Sequence, residues 1–133
     1  MKVLNLIIKQ KYFDAILAGR KVQEFREVRP TTIKKLLQLD AEGFEVEDEH
    51  GNAQPIKYDA IQFYVGYHKD RDSALVEVLG AHCKVFVDDD DNPITYEYGK
   101  DKDGNPLEWW AEQVVYDLGK VLSHNIRDKS KTI

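Results

Sequence analysis

Eight consecutive residues, Gly19-Arg20-Lys21-Val22-Gln23-Glu24-Phe25-Arg26, set a lysine, a glutamate and an arginine behind a glycine. Lys21 and Arg26 offer donors to phosphate or to base edges, and Glu24 can accept from an exocyclic amine, orient the arginine or act as a base. Val22 to Val28 reads as an extended segment, with Val22, Glu24, Arg26 and Val28 on one face and Gln23, Phe25 and Glu27 on the other. Glu24 and Arg26 then lie about 7 Å apart along one face. If that face is buried, an acid and an arginine go with it, and each costs several kcal/mol unless it is paired or faces a wet pocket. If the opposite face is buried, Phe25 is its one apolar residue. Either choice is unusual for a strand that only supports a fold. The plain structural alternative is a Glu24–Arg26 ion pair at a strand edge.

Other chemistry-bearing residues form weaker patterns. His82 and Cys83 are adjacent on a β-rich run, so they face opposite sides and do not share a metal. His50 and His124 read as exposed loop or strand-end residues, and His68 sits in a polar loop. A calcium loop fails at Asp88–Asp91, where Pro93 and Gly99 fall at its sixth and twelfth positions. It fails again at Asp101–Glu112, where Pro106 occupies the position that needs a glycine-permitted turn. Both acidic runs read as turns. Phosphate-loop, nucleophile-elbow and His-Glu-x-x-His motifs are absent from the sequence. The single cysteine excludes an internal disulfide and Cys-rich zinc patterns, so neither a metal nor a cofactor is expected.

These residues need a scaffold. With 133 residues and 42% hydrophobic composition the chain suits one globular domain, and its apolar runs are too short for a membrane helix or a signal peptide. A cytoplasmic protein without a membrane partner is the expectation. Residues 1–36 hold nine Lys and Arg against three Asp and Glu, whereas the whole chain is net −5, so a basic patch can coexist with acidic faces. Val3 to Ile8 predicts a strand. Tyr12/Ile16 and Phe13/Leu17 predict a helix that stops at Gly19, and Pro30-Thr31-Thr32 opens a short helix carrying Ile33, Leu36 and Leu37. Residues 40–55 read as a solvated hairpin. Ala60 to Val65 and Ala74 to Val87 read as central strands with a bulge or bend at Gly80, and Ile94, Tyr96 and Tyr98 alternate as a strand. Leu107 to Glu112 fits a helical turn or a strand, and Val114 to Leu122 a closing strand interrupted at Gly119. No internal repeat stands out. Short strands interrupted by two early helices, without regular βαβ alternation, favour a small barrel with helices on its rim.

The Gly19–Arg26 segment resembles the G-x-K-x-x-E-x-R signature of the ASCH domain (activating signal cointegrator homology), a branch of the PUA-like barrels. The helix before it, Tyr12 to Gly19, the strand pair at Ile61–Tyr64 and Ala74–Val78 with Lys69-Asp70-Arg71 between them, and Val115 to Val121 as closing strand also match that family's order. The resemblance implies an α+β fold, a small mixed or antiparallel PUA-like β-barrel with two short N-terminal helices on its rim. One domain would span 1–126, with insertions near 40–55 and 88–112, followed by a polar tail at 127–133. It also implies a pocket for single-stranded RNA, a nucleotide or a nucleoside lined by Gly19, Lys21, Glu24 and Arg26. Tyr64 and Tyr67 would supply stacking, with His68 and Arg71 contributed by the adjoining loop.

Two other readings stay open. Some ASCH-like proteins are amidohydrolases acting on modified cytidine, but their signature lysine works with a threonine where this chain has Glu24, and a carboxylate there suits a base or a binding group better than a nucleophile. A ribonuclease would draw on Lys21, Glu24 and His68. Alternatively, the segment from Asp88 to Trp110 would serve a protein partner, with Trp109 and Trp110 as anchor or as core.

Overall fold

A computed structural model describes residues 1–127, so the tail read at 127–133 lies, apart from Arg127, outside the described residues. In chain order the elements are β1 (Val3–Ile8), α1 (Gln10–Leu17), β2 (Gln23–Glu27), α2 (Ile33–Leu36), β3 (Ala60–Val65), β4 (Ser73–Val85), β5 (Thr95–Lys100), β6 (Pro106–Trp110) and β7 (Glu112–Asn125). Five strands form a mixed sheet in the order β1-β3-β4-β7-β2, and β5 and β6 form a separate pair. The β-rich character and the two short early helices match the sequence reading. The barrel does not. A barrel closes only when its end strands bond to each other, and here β1 and β2 stand at the two ends of an open sheet. Among the described residues no helix is long and apolar enough to cross a membrane.

The chain forms two compact units: one holds residues 1–24, 57–81 and 116 onward, the other 25–56 and 82–115, so β2, β4 and β7 each contribute to both. In the first unit β1 runs parallel to β3, from Val3 opposite Ala60 to Ile8 opposite Val65, and β3 runs antiparallel to β4. Period-two alternation in β1 buries Leu4, Leu6 and Ile8, which join Phe13, Ile16, Ile61, Phe63, Val76 and Tyr116 in the core. The face of α1 is set by Phe13 and Ile16; Tyr12, expected to pack with Ile16, points outward. Gly19 ends the helix as expected. Its φ of +76° lets its N–H reach the Ile16 carbonyl while the Arg20 N–H reaches that of Ala15, a pair of bonds that closes the helix and aims the next residues along β2.

The second unit is built on turns. Asp40, Asp48, Asp88 and Asp101 each accept, through Oδ1, backbone N–H groups two and four residues on. In each turn the fourth residue, Gly43, Gly51, Asp91 or Gly104, has positive φ. This one turn, used four times, is the repeat that the sequence reading missed, because the recurring feature is a backbone geometry carried by one Asp and one left-handed residue. It confirms both acidic runs as turns. Leu107 to Trp110 is strand, paired through β6 with β5. Gly119 interrupts nothing, since β7 runs through it, and β4 likewise continues through Gly80. In the first unit a Cβ on Gly119 would overlap the Glu77 carboxylate, so the glycine makes room for that side chain within the strand.

Candidate nucleic-acid interface

The start of the signature is positioned by the closing turn of α1. Lys21, two residues past Gly19, carries its Nζ 5.6 Å from the centre of the Tyr12 ring, and Lys11 Nζ lies 4.8 Å from the same centre. Tyr12 is 43% exposed, so one accessible aromatic ring is bordered by two ammonium groups. Along β2 the sequence left two faces open, and the structure chooses. Glu24 is 6% exposed, Val28 is buried and Arg26 is half-buried with a solvent-inaccessible Nε, while Phe25 is 44% exposed. The strand buries its charged face and turns its phenylalanine outward. Gln23 Nε2 donates to Asp117 Oδ1 at 2.8 Å. The unit boundary falls between Glu24 and Phe25, which makes Lys21 and Glu24 first-unit residues and Arg26 a second-unit one.

The other expected ligand residues lie at the end of β3 and in the loop after it. The Arg71 guanidinium stacks 4.1 Å from the centre of the Tyr64 ring, and its Nη1 donates to the Gly66 carbonyl at 2.9 Å. Tyr64 is thus already covered on one face by an arginine. Tyr67 and His68 are exposed. Asp72, buried at the foot of the loop, accepts from Gln10 Nε2 at 3.2 Å and from the Arg127 N–H at 2.8 Å. The structure therefore brings Lys21 to Tyr12 and Arg71 to Tyr64. Tyr12 is the residue that sequence reading missed; the signal was Lys11 beside it and Lys21 beyond the glycine stop.

The second unit holds a different constellation. A cavity of about 320 Å³ is lined by Glu45, Glu47, Glu108, Trp109, Trp110 and Glu112. Glu112, 6% exposed, is pushed up to about 7 by burial, and further by the charge and hydrogen bond of Glu45. Glu45 is itself raised, first by burial and then by Glu47. Burial, and then the charges of Glu112 and Glu45, push the Cys83 thiol up to about 12. Trp109 is fixed by donation from Nε1 to the Val28 carbonyl at 2.9 Å and meets Tyr98 edge-on, whereas Trp110 is 55% exposed. One tryptophan is held in place and the other stands open. Glu112 also borders a smaller cavity of about 170 Å³ beside Arg29, which pairs with Glu27 and lies 5.0 Å from the centre of the Tyr96 ring. Among the described residues, no group of three or more His, Cys, Asp or Glu is set to hold a metal ion.

No protein-family model, curated protein or solved structure matches this chain. Chemically, the first unit offers an aromatic face with two cations, and the second a set of carboxyls around indoles. Their charges agree with this. Among the described residues the first unit has ten Lys and Arg against seven Asp and Glu, and the second has seven against sixteen.

Proposed function

We propose that this chain is an ASCH-like module that binds single-stranded RNA or a nucleotide through the segment starting at Gly19. The observation that carries the reading is the exposed Tyr12 ring bordered by the Lys11 and Lys21 ammonium groups. A base stacks on such a ring, and an ammonium displaced from the ring face is within reach of the adjoining phosphates. The fall of the signature along β2 supports it, with Glu24 buried in the strand that follows Lys21. So does the positive balance of the first unit, which draws phosphates towards it despite the acidic total. On this reading the five-stranded sheet is the counterpart of a PUA-like barrel wall, left open between β1 and β2.

The test is a fluorescence-anisotropy titration of a labelled eight-nucleotide single-stranded RNA. It compares wild type, Tyr12→Leu and Lys21→Ala/Arg26→Ala, with a mononucleotide as competitor. Loss of one stacked base costs about 1–3 kcal/mol, so Tyr12→Leu is expected to bind roughly 5- to 150-fold more weakly. The double variant is expected to lose binding by tenfold or more. Equal affinity across the three proteins would overturn the proposal.

A further inference from the structure

The cavity of the second unit combines features that the RNA reading does not use. Its lining, among the described residues, is four glutamates and two tryptophans, with no lysine or arginine. Its volume, about 320 Å³, is at the small end of ligand pockets, which run from about 300 Å³ upward. Glu112 lines it although more than nine-tenths buried, and its hydrogen-bond partner is Glu45, a second acid, rather than a cation. A carboxyl in that position carries its charge only at a cost, which a proton shared with Glu45 relieves and which a bound cation would relieve in its place. Trp110 leaves more than half its surface in water at the same cavity, so an indole face is available there to a ligand.

We propose that this cavity is a binding site for a small linear organic diamine. Indole faces attract ammonium groups through their quadrupole, carboxylates accept their N–H donors, and a short methylene chain between the two charges covers the apolar ring surface. Two positive charges match a lining of four carboxyls in a unit that is net −9 among its described residues. A compact metal ion suits it less well, because no three of these side chains are set to hold one among the described residues. Trp110, open to solvent, is the indole that the ligand covers, while Trp109, its neighbour on β6, is held by the Val28 carbonyl and the edge of the Tyr98 ring and fixes the strand beside it.

The experiment is isothermal titration of the full chain with 1,4-diaminobutane at pH 7. Its controls are 1,4-butanediol, which keeps the length and lacks the charge, and sodium chloride at matched ionic strength. The variants are Trp110→Ala, Glu112→Gln and, as an exposed acid elsewhere in the same unit, Asp89→Ala. Saturable one-site binding is expected for the diamine alone, weakened tenfold or more by Trp110→Ala and by Glu112→Gln and unchanged by Asp89→Ala. Binding to wild type is also expected to release protons, seen as a heat that depends on the buffer, because an ammonium beside Glu112 and Glu45 favours their charged forms. No saturable heat, or one weak affinity shared by all four proteins, would overturn the proposal, the latter marking diffuse counterion attraction. Trp110→Ala removes a side chain that is mostly in solvent, so its result stands even if Glu112→Gln alters folding.

Discussion

Glu112 shows how much a single side chain's chemistry depends on its neighbours. Its carboxyl titrates ordinarily near 4.5, and burial beside Glu45 pushes it to about 7 in the folded protein. A raised folded value means that the native state holds the proton more tightly than the unfolded chain does. This group's contribution is therefore fully present below about 4.5 and is lost as pH rises through about 7. Urea unfolding between pH 5 and 8 is expected to show wild type losing stability, while Glu112→Gln lacks that part of the slope and is the more stable protein at pH 8. Cys83 gives a second check at this scale. With its thiol pushed to about 12, alkylation by iodoacetamide at pH 8 is expected to be at least about 100-fold slower in the folded protein than in urea. Neither shift is legible in the sequence, because Glu45, which acts on both groups, lies far from each of them in the chain and meets them only through tertiary structure. The Glu24–Arg26 anomaly was legible, since a two-residue period forces the two onto one face whatever the fold; which face is buried had to come from the structure.

At the scale of elements, local chemistry does most of the work. β1 falls over Val3–Ile8 as its alternation requires, and α1 ends at a glycine whose positive φ closes two backbone bonds and launches Lys21. Where pattern was ambiguous it misled: Tyr12 and Ile16 have helical spacing, but spacing cannot tell core from rim, and the paired tryptophans of β6 fit either period. A glycine within a run does not by itself mark a break: Gly119 leaves room for Glu77 inside an unbroken β7. The four Asp-led turns of the second unit give the sharpest test at this level. Three have glycine at the left-handed position and the fourth has Asp91, at φ 62°. Asp91→Gly is expected to stabilise the protein by about 0.5–1 kcal/mol and Gly104→Ala to destabilise it by about 1 kcal/mol, both read from urea midpoints. Backbone donation from Asn52 and Asn105 holds the Asp48 and Asp101 carboxyls below their ordinary value, as expected of acids that organise turns.

At the scale of the whole molecule, charge divides with the units. The basic excess of residues 1–36 was visible in the sequence, but the division that matters, a positive first unit and a strongly negative second one, cuts across chain order because both units are assembled from separated segments. The first unit is tied along its length by Asp72, which bonds Gln10 near the start of α1 and Arg127 near the end of the described chain. Asp72→Ala is expected to cost about 1–3 kcal/mol of stability by leaving those donors without their buried acceptor.

The central claim is that Lys11 and Lys21 beside Tyr12 engage the phosphates of a single strand. The salt dependence of RNA binding tests it most directly, as the slope of log affinity against log salt for wild type and for Lys11→Ala/Lys21→Ala. Each lysine that meets a phosphate contributes about 0.7 to that slope on a single strand, so the double variant is expected to bind more weakly with a slope shallower by about 1.4. An unchanged slope at unchanged affinity would contradict the claim.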